Sequence, residues 1–235
     1  ATNSGTVGNI AINETNALVI RQAAQTNAGA SAGNIDITAA GAVTVEATGT
    51  GGLGVTIDGL PASTGTITLA ATGTGNSLGI ANAVTSKAGN ITLRGGDNVT
   101  FTAAAAVTST TGNVAVTGNY GAADAVGAIT MTDGATINAG SGTITLAAPD
   151  DITLSGLTTT NNTGSAVSVT SAAGKIVDAG DANVDIVAAG ANAVTTLSAV
   201  TGIGSAGAID TTITTLAATN SGTVGNIAIN ETNAL

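Results

Sequence analysis

One five-residue pattern recurs along this 235-residue chain and constrains its fold more than any other feature. It reads glycine, small residue, apolar residue, small polar residue, apolar residue. It appears as Gly8-Asn9-Ile10-Ala11-Ile12, Gly33-Asn34-Ile35-Asp36-Ile37 and Gly65-Thr66-Ile67-Thr68-Leu69. It returns as Gly89-Asn90-Ile91-Thr92-Leu93, Gly112-Asn113-Val114-Ala115-Val116, Gly127-Ala128-Ile129-Thr130-Met131 and Gly142-Thr143-Ile144-Thr145-Leu146, with an offset run at Gly41-Ala42-Val43-Thr44-Val45. Strict alternation of apolar and polar residues is the period of a half-buried strand, and Thr, Val and Ile favour strands. The leading glycine reads as the turn into each strand. The asparagines that follow it (Asn9, Asn34, Asn90, Asn113) read as turn residues or, less favoured, as an asparagine column at a corner. Alanines fall in glycine-broken runs without a helical period.

The leading glycines are spaced 24, 24 and 23 residues apart from Gly41 to Gly112, then 15 and 15 to Gly142, then 32 and 33 to Gly174 and Gly207. A period near 20–25 residues with two or three short strands is one coil of a β-solenoid, and the irregular gaps read as coils with an extra strand or a longer loop.

A second, longer repeat is exact. Residues 1–18 and 218–235 both read ATNSGTVGNIAINETNAL, an offset of 217 residues. The favoured division is a 217-residue solenoid unit over 1–217 followed by the start of the next tandem copy over 218–235, with no atypical capping repeat at either side. The alternative is a complete protein with duplicated ends. At about 4.8 Å per coil, roughly nine to eleven coils per unit extend about 43–53 Å.

Composition fits a thin tube rather than a globule. Ala, Thr and Gly number 47, 43 and 34, and Phe101 and Tyr120 are the only aromatics. Charged residues are 8%, against roughly 25% in an ordinary domain. His and Cys are absent, which excludes His/Cys zinc or haem sites, disulfides and His-containing triads. The net charge of −10, with only Arg21, Lys87, Arg94 and Lys175 as bases, argues against nucleic acid. An apolar content of 43% argues against disorder. No apolar run is long enough for a transmembrane helix, and Ala1-Thr2-Asn3 opens no signal peptide.

The strings GNITL, GTITLAAPDDITLSG and GKIVDAGDANVDIVAAGANAVTTLSAVTGIGSAGAIDTTITTLAATNSGTVGNIAINETNAL resemble the repeat regions of filamentous-haemagglutinin-type bacterial surface exoproteins. Those are often secreted by a two-partner or autotransporter route. The resemblance spans essentially the whole chain. It implies an all-β, right-handed parallel β-helix, an extracellular or cell-surface location, and a shaft without catalytic residues.

Candidate sites are few. Asp178, Asp181 and Asp185 are a weak candidate for calcium, without the repeat period of calcium-binding β-rolls. No other cofactor is expected. Asp150 and Asp151 after Pro149 mark a turn. Paired carboxylates suit glycoside hydrolysis, but the basic and aromatic residues that hold sugar are scarce, so no enzyme is expected. Sequons at Asn13, Asn90, Asn98, Asn161 and Asn230 arise by chance in a chain rich in Asn and Thr. Thr66/Thr68, Thr130/Thr132 and Thr143/Thr145 suggest a broken threonine ladder, a minor ice-binding reading. The expected role is the structural shaft of a giant extracellular fibre or adhesin. Its partners would be further copies of the repeat along the axis, with lateral bundling of like fibres. A lateral binding module for polysaccharide or neighbouring cells is the alternative.

Overall fold

Every alternating run identified in the sequence is a strand. The computed structural model describes residues 1–29, 31 and 33–233. Its strands form three parallel sheets of ten, nine and seven strands. The chain visits them in rotation. Thr2–Asn3 lies in the first sheet, Ile10–Glu14 in the second and Leu18–Ile20 in the third; Gln22–Ala28 then returns to the first, beside Thr2–Asn3. Each circuit is one coil, and the architecture is a parallel β-solenoid. Past Ile176–Asp178 the third sheet continues only as single bridges, Ile176 to Ile203 and Ile203 to Ile227. Nine circuits are complete by Ile227, and a tenth begins at Ile229–Glu231. Ten strands in the first sheet span about 43 Å along the axis.

The topology explains the uneven glycine spacing. The motifs at Gly8, Gly33, Gly65, Gly89, Gly112 and Gly142 lead strands of the second sheet, whereas Gly41 and Gly127 lead strands of the third. The two intervals of 15 residues around Gly127 therefore make up one coil, lengthened by the loop that carries Tyr120. Likewise Gly174 precedes a third-sheet strand and Gly207 a first-sheet strand. The spacing mixed different sides of the tube.

Register builds the core. Ile35, Ile67, Ile91, Val114, Ile144 and Val167 stack directly, one per coil, as do Ile37, Leu69, Leu93, Val116, Leu146, Val169 and Leu197. These side chains are 0–1% exposed, and stacked aliphatics of similar volume fill a narrow interior without gaps. Phe101, the largest buried side chain, sits on Met131 in the third sheet. Backbone bonds join coil to coil: the Ile35, Ile67, Ile91 and Val114 amides each donate over 2.9 Å to a carbonyl one coil on. Each coil thus satisfies its neighbour.

Candidate functional site

The polar residues of the repeated motif act between coils. Asn9 Oδ1 accepts from the Asn34 amide at 2.9 Å, and Asn34 Oδ1 accepts from the Thr66 amide at 3.0 Å. Asn90 Oδ1 accepts from the Asn113 amide and Asn113 Oδ1 from the Thr143 amide, both at 2.9 Å. These asparagines form two stacked pairs, separated by Thr66, that tie their corners to the next coil, a partial form of the column the sequence favoured less. Asn98 does the same at another corner, accepting from the Ala128 amide at 2.8 Å. In the Asn90 and Asn98 sequons the side-chain oxygens are thus engaged in bonds between coils.

Two of the leading glycines, Gly8 and Gly127, take the positive φ of a turn glycine, at 116° and 156°, whereas four others have a steric role. A Cβ on Gly33, Gly89, Gly112 or Gly142 would lie 1.8, 1.9, 2.1 or 2.2 Å from the carbonyl oxygen of Gly8, Gly65, Gly89 or Gly112 respectively. None of the four has a positive φ. They stack because the backbones of successive coils touch at this corner. Buried hydroxyls line the inside of the same corner. Ser86 Oγ donates to the Gly89 carbonyl, Ser109 Oγ donates to the same oxygen at 3.0 Å, and Thr159 Oγ1 donates to the Gly142 carbonyl at 2.6 Å.

Of the acidic candidates, Asp178 lies beside Asp185, and Asp181 turns away from them. Asp178 Oδ1 accepts from the Gly180 amide at 2.7 Å, and Asp181 is exposed on the following turn. Asp185 is 1% exposed, and its Oδ2 accepts from the Asp210 amide at 2.9 Å. Its Oδ1 is buried without a hydrogen-bond partner among the described residues. Burial pushes the Asp185 carboxyl up to about 8; the Asp210 amide opposes this, and the nearby charges of Asp178 and Asp210 reinforce it. Asp210 is the neighbour that sequence reasoning missed. It lies 25 residues after Asp185, one coil length, and that offset was the available signal. Among the described residues no group of three or more His, Cys, Asp or Glu side chains is placed to hold a metal ion. Asp150 and Asp151 sit at a bend, where Asp150 Oδ2 accepts from the Gly127 amide and Asp151 Oδ1 from the Lys175 amide, each at 3.0 Å.

The threonine pairs do not share a face. Thr68 and Thr145 project from the second sheet, whereas Thr130 belongs to the third. Between Thr68 and Thr145 the same column carries Thr92 and then Ala115. Tyr120 lies over Arg94, 4.3 Å from guanidinium carbon to ring centroid, with a 3.1 Å hydrogen bond from Arg94 to its hydroxyl. A hollow of about 410 Å³ is bordered by Ile12, Leu18, Ile20 and Leu53 at the edge of the first coil. Among the described residues no helix is long and apolar enough to cross a membrane.

No family model, curated protein or solved structure matches the chain. The class is therefore defined by the fold itself, a parallel β-solenoid whose polar side chains are spent largely on joining coils.

Proposed function

We propose that this chain is a structural repeat, the shaft of a giant extracellular fibre or adhesin on a bacterial surface. The observation that carries the reading is the placement of the polar groups of the motif and of the corner beneath it. Asn34, Asn90, Asn113, Ser109 and Thr159 all bond the chain to itself or to the next coil. A binding module directs such groups convergently at a ligand; here they run along the axis. The resemblance to filamentous-haemagglutinin-type repeats supports the extracellular location. Immunoelectron microscopy of native cells tests the proposal: thin filaments carrying the epitope support it, and signal confined to the cell interior overturns it. A glycan array separates it from the lateral-binding alternative, since a shaft leaves the array blank and a polysaccharide module gives a saturable hit.

A further inference from the structure

Two carboxyls at one corner are aimed at the same stretch of the next coil. Asp178 ends the third-sheet strand Ile176–Asp178, and Asp185 stands just before the first-sheet strand Ile186–Ala188. Residues 179–184 join them as a surface loop. Asp185 Oδ2 accepts from the Asp210 amide, and Asp178 Oδ2 faces Gly207, where an added Cβ would lie 2.8 Å from it. The two carboxyls are within hydrogen-bonding reach of each other. Asp185 is nevertheless 1% exposed with its Oδ1 unpartnered among the described residues.

Two ionised carboxyls cannot satisfy each other, because each only accepts. A proton on the pair removes the orphan: Asp185 becomes the donor and Asp178 the acceptor. It also removes the repulsion of like charges at a buried corner. The surrounding charged groups are all acids. Asp210 lies on the following coil, its Oδ1 accepting from Asn230 Nδ2 at 2.8 Å. Asp133 reaches the loop from an earlier coil, its Oδ1 accepting from the Ala182 amide at 3.1 Å. Asp181 is exposed on the loop itself, and Glu231 is turned to the Thr211 hydroxyl at 2.7 Å. Among the described residues no lysine or arginine forms an ion pair with any of these acids; Lys175 is paired with Asp151 at 3.8 Å.

We propose that Asp178 and Asp185 hold one proton between them, and that this proton latches the loop over residues 179–184 to the following coil. With the proton in place, Asp185 donates to Asp178, and its other oxygen holds the Asp210 amide. When the proton passes to solvent, two carboxylates remain side by side. Asp185 then swings out to water, the Asp210 amide loses its acceptor and the loop opens. The raised pKa of Asp185, about 8, sets the range: the latch is closed at about pH 7 and open by about pH 9. The corners at Asn90 and Asn113 rest on neutral amides and stay shut over that range. The inference rests on this one corner and not on the shaft reading.

Infrared difference spectroscopy of the full chain during a pH titration reads the proton directly. One protonated-carboxyl band per chain is expected to persist at neutral pH and to vanish with a midpoint of about 8. Asp185→Asn, which keeps the shape, should abolish the band. Asp178→Asn removes the neighbouring charge and should lower the midpoint by about one pH unit or more. Hydrogen exchange reads the latch. From about pH 7 to about pH 9, protection of the Asp210 amide beyond its intrinsic rate should fall by about tenfold or more, while the Asn113 amide on Asn90 Oδ1 keeps its protection. In Asp185→Asn the Asp210 amide should keep its protection too. Absence of the band at neutral pH overturns the shared proton, as does a midpoint that Asp178→Asn leaves unmoved. A band that titrates while Asp210 protection holds constant overturns the latch. None of these results bears on the shaft reading, which is tested on native cells.

Discussion

Gly112→Ala probes the corner stack at a position where the obstacle is backbone on every side. The added Cβ would lie 2.1 Å from the Gly89 carbonyl oxygen, 2.4 Å from its carbon and 2.8 Å from the Asn90 amide nitrogen. Favourable separation between non-bonded carbons is ~3.5–4.0 Å, so the two coils must separate locally by about 1 Å. No flexible side chain can move aside. Overpacking of this kind costs ~1–3 kcal/mol. The flanking bonds, Ile91 amide to Asn113 carbonyl and Asn113 amide to Asn90 Oδ1, are both 2.9 Å, and weakening them adds about 1 kcal/mol each. The expected total is about 3–5 kcal/mol. Gly49→Ala is the control. Gly49 sits in the short helix Thr48–Thr50 with open space around it and no positive φ, so alanine there gains about 0.4–1 kcal/mol. Urea unfolding followed by circular dichroism should show a midpoint about 1–2 M lower for Gly112→Ala. Hydrogen exchange should accelerate first in the coils around Gly89 and Gly142. A Gly112→Ala midpoint equal to that of Gly49→Ala would refute the reasoning.

Other expectations follow from single groups. Asp185 carries a folded pKa raised from 3.8 to about 8, so its bound proton favours the folded state. That contribution is complete below about pH 4 and is lost as pH rises to about 8. Thermal unfolding should therefore fall in midpoint from about pH 5 to about pH 9, and Asp185→Asn should flatten that slope; an unchanged slope would place the titration elsewhere. Asn113→Ala removes the side-chain acceptor of the Thr143 amide. It should cost about 1 kcal/mol and speed exchange at that amide, with Asn113→Asp, which keeps an oxygen acceptor, losing less. Calcium should leave the unfolding midpoint unchanged, because Asp178, Asp181 and Asp185 are not brought together as a group of three ligands; a calcium-dependent rise would restore them as ligands.

Strand placement was legible because period-two alternation is local: the run from Ile67 to Leu69 alternates whatever lies beside it. The sides of the tube were not legible. Gly41 and Gly127 look like Gly65 and Gly112 in sequence, and only the closing of each coil assigns them to the third sheet. The same limit hid the acidic corner, since Asp210 meets Asp185 across a coil rather than along the chain. Asn34 and Asn113 were visible as recurrent residues, but a turn asparagine and a coil-joining asparagine have the same local sequence; what distinguishes them is the amide that arrives from the next coil. Glycine misled for a related reason. Its usual signal is a left-handed turn, whereas Gly33, Gly89, Gly112 and Gly142 are small because another backbone passes over them.

The shaft reading requires that the tube continue along one axis from repeat to repeat. Cryo-electron microscopy of the native filaments measures this directly. The account predicts strands perpendicular to the axis at about 4.8 Å spacing and an advance of about 40 Å for each 217 residues. Discrete compact particles, or filaments in which the strands run along the axis, would contradict it.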